Sequence, residues 1–371
     1  MPYFDHCATT PIHPDVLEKM YTVSKNHFGN PSSTHSSGRK SRSIIEEARR
    51  QIALAINASP SEIIFTGGGS EANNMVLWTL TQTDKKHVIT SSIEHPAILK
   101  VLNHLEPLGI THSIIPVNSH GRVNADNLKN AIQPDTGLIS IMMANNEVGA
   151  IQPIISLIEI AKSAGILFHS DTVQALGKIA LSVQELEADY MSFSAHKLYG
   201  PKGVGFLYKR KNAPLHPLVI GGGQESNFRA GTENVPGIVG MGEAVRLASE
   251  NLTKRKEHVE NLESTFITQL NQECDKVIIN GCPNHHLPGV ISASFPGNRS
   301  DILLAKLERE GMEVSSGSAC GSGSIQPSAV LEAIGIPEEQ NISTIRISFG
   351  RENTEKDVIR LAKTLGSITR G

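Results

Sequence analysis

Over the first two-thirds of the chain, apolar β-rich runs alternate with segments of helical period. Strands are expected at 62–66 (EIIFT), 87–90 (HVIT), 137–144 (GLISIMMA), 166–170 (ILFHS), 190–194 (YMSFS) and 204–208 (VGFLY). Between them, Ile44, Ile45, Ala48, Ile52 and Ile56 share one helical face, and Ser43 with Glu46 reads as a capping box. Segments 96–108 and 153–164 read as helices that accept a proline in the first turn. Alternation of this kind predicts an α/β domain whose largely parallel sheet is covered on both faces.

After about Gly231 the pattern changes. Residues 236–273 read as one nearly unbroken helical stretch. Short strands follow at 277–280, 290–295 and 344–349, with helices at 300–310 and 354–368. This predicts a smaller α+β domain. The boundary is placed inside the helical stretch, giving a large domain 1–255 and a small C-terminal domain 256–371, with the opening residues free to pack on either.

Composition narrows the class without choosing a function. The chain has 371 residues, 39% hydrophobic and 19% charged, with a formal net charge of −3. Neither a non-specific grip on nucleic acid nor attraction to an anionic membrane is expected. The opening MPYFDHCATT has no basic or apolar leader character, and no run is long enough to span a bilayer. Four cysteines, Cys7, Cys274, Cys282 and Cys320, form no C-x-x-C pair, so no metal site is expected and a reducing cytoplasm is the natural compartment.

Several motifs carry chemistry. In EIIFTGGGSEANN a strand runs through glycines into Ser70 and a helix, a backbone cradle for an anion. Gly67, Gly69 and Ala72 also fit the dinucleotide pattern by letters, but no acidic residue is well placed about twenty positions on. Asp171 in FHSDTVQ ends a strand run, where it serves either as a helix cap or as a charge partner for a ligand. Lys197 in SFSAHKLYGPKG follows another strand; burial there makes its amine a nucleophile for Schiff bases. His95 precedes Pro96 at a helix start. Arg346 sits mid-strand in TIRISFG and needs either a substrate carboxylate or a buried Asp or Glu. A single thiol, Cys320, lies in VSSGSACGSGS among glycines and serines. An anion cradle, an Asp and an amine are together the parts that pyridoxal 5'-phosphate requires.

The motifs DHCATT, GNPSSTHSSGR, GGGSEANN, IEHPA, NNEVGAIQP, HSDTVQ, SFSAHKLYGPKG, RAGTEN and SSGSAC follow one another in order. Together they make the chain resemble the cysteine desulfurases, fold type I pyridoxal-phosphate transferases related to the class V aminotransferases. The likeness runs from Tyr3 to about Leu365, and the long stretch from Cys320 to Arg346 resembles the subgroup with an extended catalytic loop. The resemblance implies that L-cysteine is converted to L-alanine and its sulfur passed to Cys320 as a persulfide. An acceptor protein then takes the sulfur for iron–sulfur cluster assembly, tRNA thiolation or another modification pathway. It implies that Lys197 holds the cofactor and moves the Cα proton, Asp171 pairs with the ring nitrogen, Gln174 contacts the phenolic oxygen, and His95 stacks on the ring and helps move protons. Gly69, Ser70, Ser194 and His196 would hold the phosphate, and Asn146 and Arg346 the substrate carboxylate. Thr232 would reach the neighbouring subunit's site in a homodimer.

Gly69 and Ser70 stand where the family often has Ala-Thr, and Cys7 where Ser or Asn is common. The chain stops at Gly371, without the longer tail some members use for scaffold binding. An aminotransferase or selenocysteine lyase on the same fold, and a non-catalytic scaffold, are the alternative readings.

Overall fold

The computed structural model describes residues 1–317 and 326–370. Seven strands form the larger sheet: β1 (Ile63–Thr66), β2 (His87–Ser91), β3 (Thr111–Ile115), β4 (Thr136–Ser140), β5 (Leu167–Asp171), β6 (Tyr190–Ser194) and β7 (Gly205–Lys209). Their order is β1-β7-β6-β5-β4-β2-β3. Only β7 runs antiparallel to its neighbours.

The strand period explains why these runs are apolar throughout. Ile64, Val88, Leu138, Tyr190 and Leu207 enter one core, under the helices Gly69–Thr79 and Pro96–Leu105. Their chain neighbours Phe65, Ile89, Ile139, Met191 and Phe206 enter the core on the opposite face, with the helices Ser36–Ala55 and Val235–Glu250. A sheet buried on both faces leaves no position for regular polar alternation.

A second, antiparallel sheet holds β8 (Ile278–Asn280), β9 (Val290–Ser294) and β10 (Thr344–Ser348) in the order β10-β9-β8. Phe266, Ile291, Phe295, Ile345, Ile347 and Leu361 pack together over it. The N-terminal segment joins this sheet: Phe4 is fully buried in the same core, and Asp5 bridges to Ser348. The chain then crosses to the larger sheet, where Thr10 donates to the carbonyl of His196.

Four expectations change. The helix expected near Ser43 begins at Ser36, with the His35 ring accepting from the Gly38 N–H, so Ser43 and Glu46 lie inside it and form no cap. The stretch 236–273 is two helices, Val235–Glu250 and Leu252–Glu273. Asn251 breaks it by donating its side-chain amide to the carbonyl of Leu247 at 2.9 Å, a local bond that competes with continued helix. Strand 137–144 ends at Ser140, because the Met142 N–H turns to the Glu94 carboxylate. β3 is an edge strand with a half-exposed pattern that apolar runs do not reveal. Among the described residues no helix is long and apolar enough to cross a membrane.

Candidate active site

Because β1, β2, β4, β5 and β6 are parallel, their carboxyl ends open on one side of the sheet, where α/β proteins bind ligands. An open cleft of about 1090 Å³ lies there. It brings together Gly69, Ser70, His95, Asn146, Asp171, Gln174, Ser194, His196, Lys197 and Arg346. Thr232 is not among its walls; it is exposed on the surface. Cys320 lies outside the described residues, although Ser315, Gly317 and Ser328 on either side of that stretch line the cleft.

Lys197 sits in a turn directly after β6. Its Nζ donates to the carbonyls of Cys7 and Ala8 at 2.6 and 2.7 Å. Burial pulls its pKa down to about 8, with Lys178 and Arg346 adding repulsion against the attraction of Cys7 and Asp5. Roughly a tenth of the amine is therefore neutral at pH 7, far more than for a lysine in water.

Asp171, at the end of β5, is buried. Its Oδ2 accepts from the Asn73 amide at 2.7 Å and its Oδ1 from the Val173 N–H at 3.0 Å. No helix follows directly, so Asp171 closes a turn rather than capping a helix, and its carboxylate lines the cleft. Asn73 was quoted in its motif but given no role; only the fold places helix Gly69–Thr79 against β5.

That helix begins at the cleft, and its N-cap, Gly68, has no side chain to offer. Gly68 adopts φ 152°, a conformation that glycine accommodates. A side chain at Gly69 would place its Cβ 2.5 Å from the Val173 side chain. The first N–H groups are left for an anion, next to the hydroxyls of Ser70 and Ser194.

The His95 ring stands in the open cleft. Its Nδ1 accepts from the Ala97 N–H at 3.1 Å, capping helix Pro96–Leu105. The proton of the neutral ring is therefore on Nε2. The surrounding walls lower its pKa, Asp171 raises it and Lys197 lowers it. His196 is pulled down to about 4, chiefly by burial. Gln174 donates its amide to the Cys7 carbonyl at 2.9 Å, while its oxygen accepts from Lys178 at 2.5 Å.

Arg346 on β10 crosses to the cleft from the smaller sheet. It holds Asp5 at 2.6 Å and the Asn146 carbonyl at 3.0 Å, and its buried Nε has no partner. The carboxylate considered for this arginine is present as Asp5, which is half-buried. Glu94 went unnoticed from sequence. It is buried below His95 and accepts from Ser91 and the Met142 N–H, and burial raises its pKa to about 8.

The model of the class V aminotransferases matches residues 2–361. The chain belongs to this family. It is 48% identical over 359 residues to the cysteine desulfurase IscS of Dictyoglomus turgidum, covering 96% of this chain and 91% of that one. A solved NifS-like protein superposes with a TM-score of 0.94 at 39% identity, covering 100% of this chain and 99% of the other. SspA in complex with cysteine gives a TM-score of 0.85 at 36% identity, covering 95% and 100%. The fold is that of the fold type I transferases, and members of the family work with pyridoxal 5'-phosphate. The cleft fits that group: an uncapped helix start for a phosphate, a pinned buried carboxylate for a ring nitrogen and a buried amine for an aldehyde.

Proposed function

We propose that this protein is a pyridoxal-phosphate-dependent cysteine desulfurase that moves sulfur from L-cysteine to Cys320. The observation that carries the reading is Lys197, whose amine is buried and brought down to about 8 in the cleft that also holds Asp171 and the uncapped helix start. Pyridoxal 5'-phosphate, when bound, supplies an aldehyde that captures amines and a ring that draws electrons from the adjoining carbon.

The chain's own groups do the rest. The N–H groups of Gly69 and Ser70, with Ser194 and His196, would hold the phosphate. Asp171, oriented by the Asn73 amide and the Val173 N–H, would pair with the ring nitrogen. Gln174 would contact the phenolic oxygen, and His95, whose Nε2–H is free, would stack on the ring. Asn146 and the free Nε edge of Arg346 orient the substrate carboxylate. Lys197 takes the Cα proton, for which an amine near pKa 8 suits neutral pH. The Cys320 thiolate then attacks the substrate sulfur: the C–S bond breaks and an S–S bond forms, Cβ takes up a thiol-derived proton, Lys197 returns the Cα proton, and L-alanine leaves.

Bound cysteine in the SspA structure supports the substrate. An acceptor protein receives the sulfur, iron–sulfur cluster assembly or tRNA thiolation being the pathways of that type. A homodimer, in which Thr232 serves the neighbouring copy, accounts for its exposure away from its own cleft. We place the division between the two units near residue 255, with the opening residues packing on the smaller sheet.

The test is alanine release and persulfide mass on the cofactor-loaded protein. Cys320→Ser should keep the cofactor and release no alanine, and no persulfide should form. Alanine at the wild-type rate with a persulfide on Cys7 would assign the wrong thiol.

A further inference from the structure

On the far side of the Lys197 turn from the cleft lies a second chamber, of about 330 Å³. Its size is at the small end of ligand pockets. Its floor is apolar: Leu198, Ala244, Leu247 and Ala248. Its rim carries the cations Lys254, Arg255 and Arg351, with His258 beside them. A narrow cavity of about 40 Å³, sharing Tyr199, Arg255, His258 and Arg351 with the chamber, reaches Cys7 and Lys197 from behind.

Arg255 is the unusual member. The two most buried arginines have carboxylates, Arg49 holding Glu225 at 2.7 Å and Arg346 holding Asp5 at 2.6 Å, whereas Arg255 is half-buried. Among the described residues, Arg255 forms no ion pair. It lies over the Tyr199 ring, 4.9 Å from the centroid, and Arg351 lies over the same ring at 5.7 Å. Two guanidiniums gathered on one ring repel each other. Two nearby carboxylates are committed to other cations: Glu352 to Arg351 at 2.7 Å and Glu243 to Lys19 and Arg246. Burial lowers the pKa of Arg255, with Arg351 repelling it and Glu352 and Tyr199 only partly offsetting the cost. An independent sign is His258, whose buried Nε2 has no partner and which lines both cavities. A charge taken from water without a counter-charge is costly, and buried polar atoms in native proteins rarely go unpaired.

We propose that this chamber binds a small organic anion, a carboxylate or phosphate ester on a short apolar body, with the anionic group at Arg255, Arg351 and His258 and the body on the apolar floor. The missing counter-charge and the open floor call for the two halves of such a molecule. The site is also mechanically close to the cleft. Tyr199 follows Lys197 by two residues and is held in the left-handed region at φ 66°, with its N–H on Thr10 and its hydroxyl accepting from the Arg351 N–H. A ligand that draws Arg255 and Arg351 together relieves their repulsion across the ring that anchors this turn.

The experiment is calorimetric titration of the cofactor-loaded protein, so that the phosphate cradle of the cleft is filled. The probes are benzoate, phenyl phosphate, inorganic phosphate and benzyl alcohol. Benzoate or phenyl phosphate should bind, and the stronger of the two identifies the preferred head group; benzyl alcohol should not bind. Binding should weaken by about tenfold or more in Arg255→Gln, the loss expected for one charged hydrogen bond. The probe-free melting temperature of that variant should stay level or rise, since an uncompensated charge is removed. If Arg255→Gln does not fold, His258→Gln and Arg351→Gln provide the same comparison. Absence of binding by both aromatic anions, equal binding to wild type and the variants, or binding of benzyl alcohol as tight as that of benzoate would overturn the proposal.

Discussion

The amine of Lys197 lies 2.6 Å from the backbone carbonyl of Cys7, a residue 190 positions away in the chain. The N-terminal segment that supplies this carbonyl is pinned at Asp5 and Phe4 to the smaller sheet. The central amine of the cleft is thus held by the strap that joins the two sheets.

That placement has a pH signature. Burial holds Lys197 at about 8 in the folded protein against 10.5 when free. Between those values the unfolded chain binds the proton that the folded chain has released, so stability rises with pH. Its unfavourable contribution is full below about 8 and fades towards 10.5. In the cofactor-free protein, Lys197→Met removes this dependence. Urea midpoints should therefore move in favour of wild type, relative to the variant, as pH rises through that window. A difference that stays constant across the window would show that the amine is not desolvated.

His95 has two separable jobs. Its Nδ1 caps a helix and its ring faces the cleft. Asparagine is a good N-cap and alanine a poor one. His95→Ala should cost about 1 kcal/mol of stability, the usual worth of a cap, while His95→Asn should cost a few tenths. Both should lose turnover, because neither carries a ring. Denaturant melts paired with alanine release read the two effects apart; equal stability of the two variants would remove the cap.

The strands were legible because a sheet covered on both sides has no exposed face to interrupt its apolar runs; Tyr190–Ser194 matches residue for residue. The order of the strands was not legible, since pairing such as β1 with β7 joins segments about 140 positions apart with nothing local to mark it. Asp171 and Lys197 announced themselves as polar residues at the ends of apolar runs. Asn73, Glu94 and Lys178 did not, because each acts through a contact that only the fold creates. The His35 cap was missed because a side-chain nitrogen took a place more often held by Ser or Asp.

Glu94 supplies a second pH effect, of opposite sign. Its folded pKa is raised from 4.5 to about 8, mainly by burial, with Asp171 adding repulsion. Between these values the folded protein keeps a proton that the unfolded chain releases, so its contribution falls as pH rises. Glu94→Gln keeps an oxygen for the Met142 N–H and lacks the titration. Relative to the variant, wild type should lose stability from the lower to the upper end of that window. Parallel stability curves for the two proteins would mean that Glu94 stays ionised in the fold.

Arg346 is the residue on which a structural and a substrate role compete. Two of its nitrogens are occupied, one by Asp5 and one by the Asn146 carbonyl, and its Nε is buried without a partner. If the arginine served only to tie the N-terminal strap to the cleft, breaking the pair from either side would cost stability and leave cysteine binding alone. If it also receives the substrate carboxylate, the two sides differ. Arg346→Lys loses the forked geometry and should raise KM for cysteine by about tenfold or more, the value of a charged hydrogen bond, with kcat changed less. Asp5→Asn removes the competing carboxylate and keeps its shape. It should lower stability on the order of 1–3 kcal/mol, less than a deeply buried pair because Asp5 is partly exposed, and leave KM level or reduced. Steady-state kinetics and urea melts on both variants decide the matter. A KM that is unchanged in Arg346→Lys, with both variants merely less stable, would assign Arg346 to the strap alone.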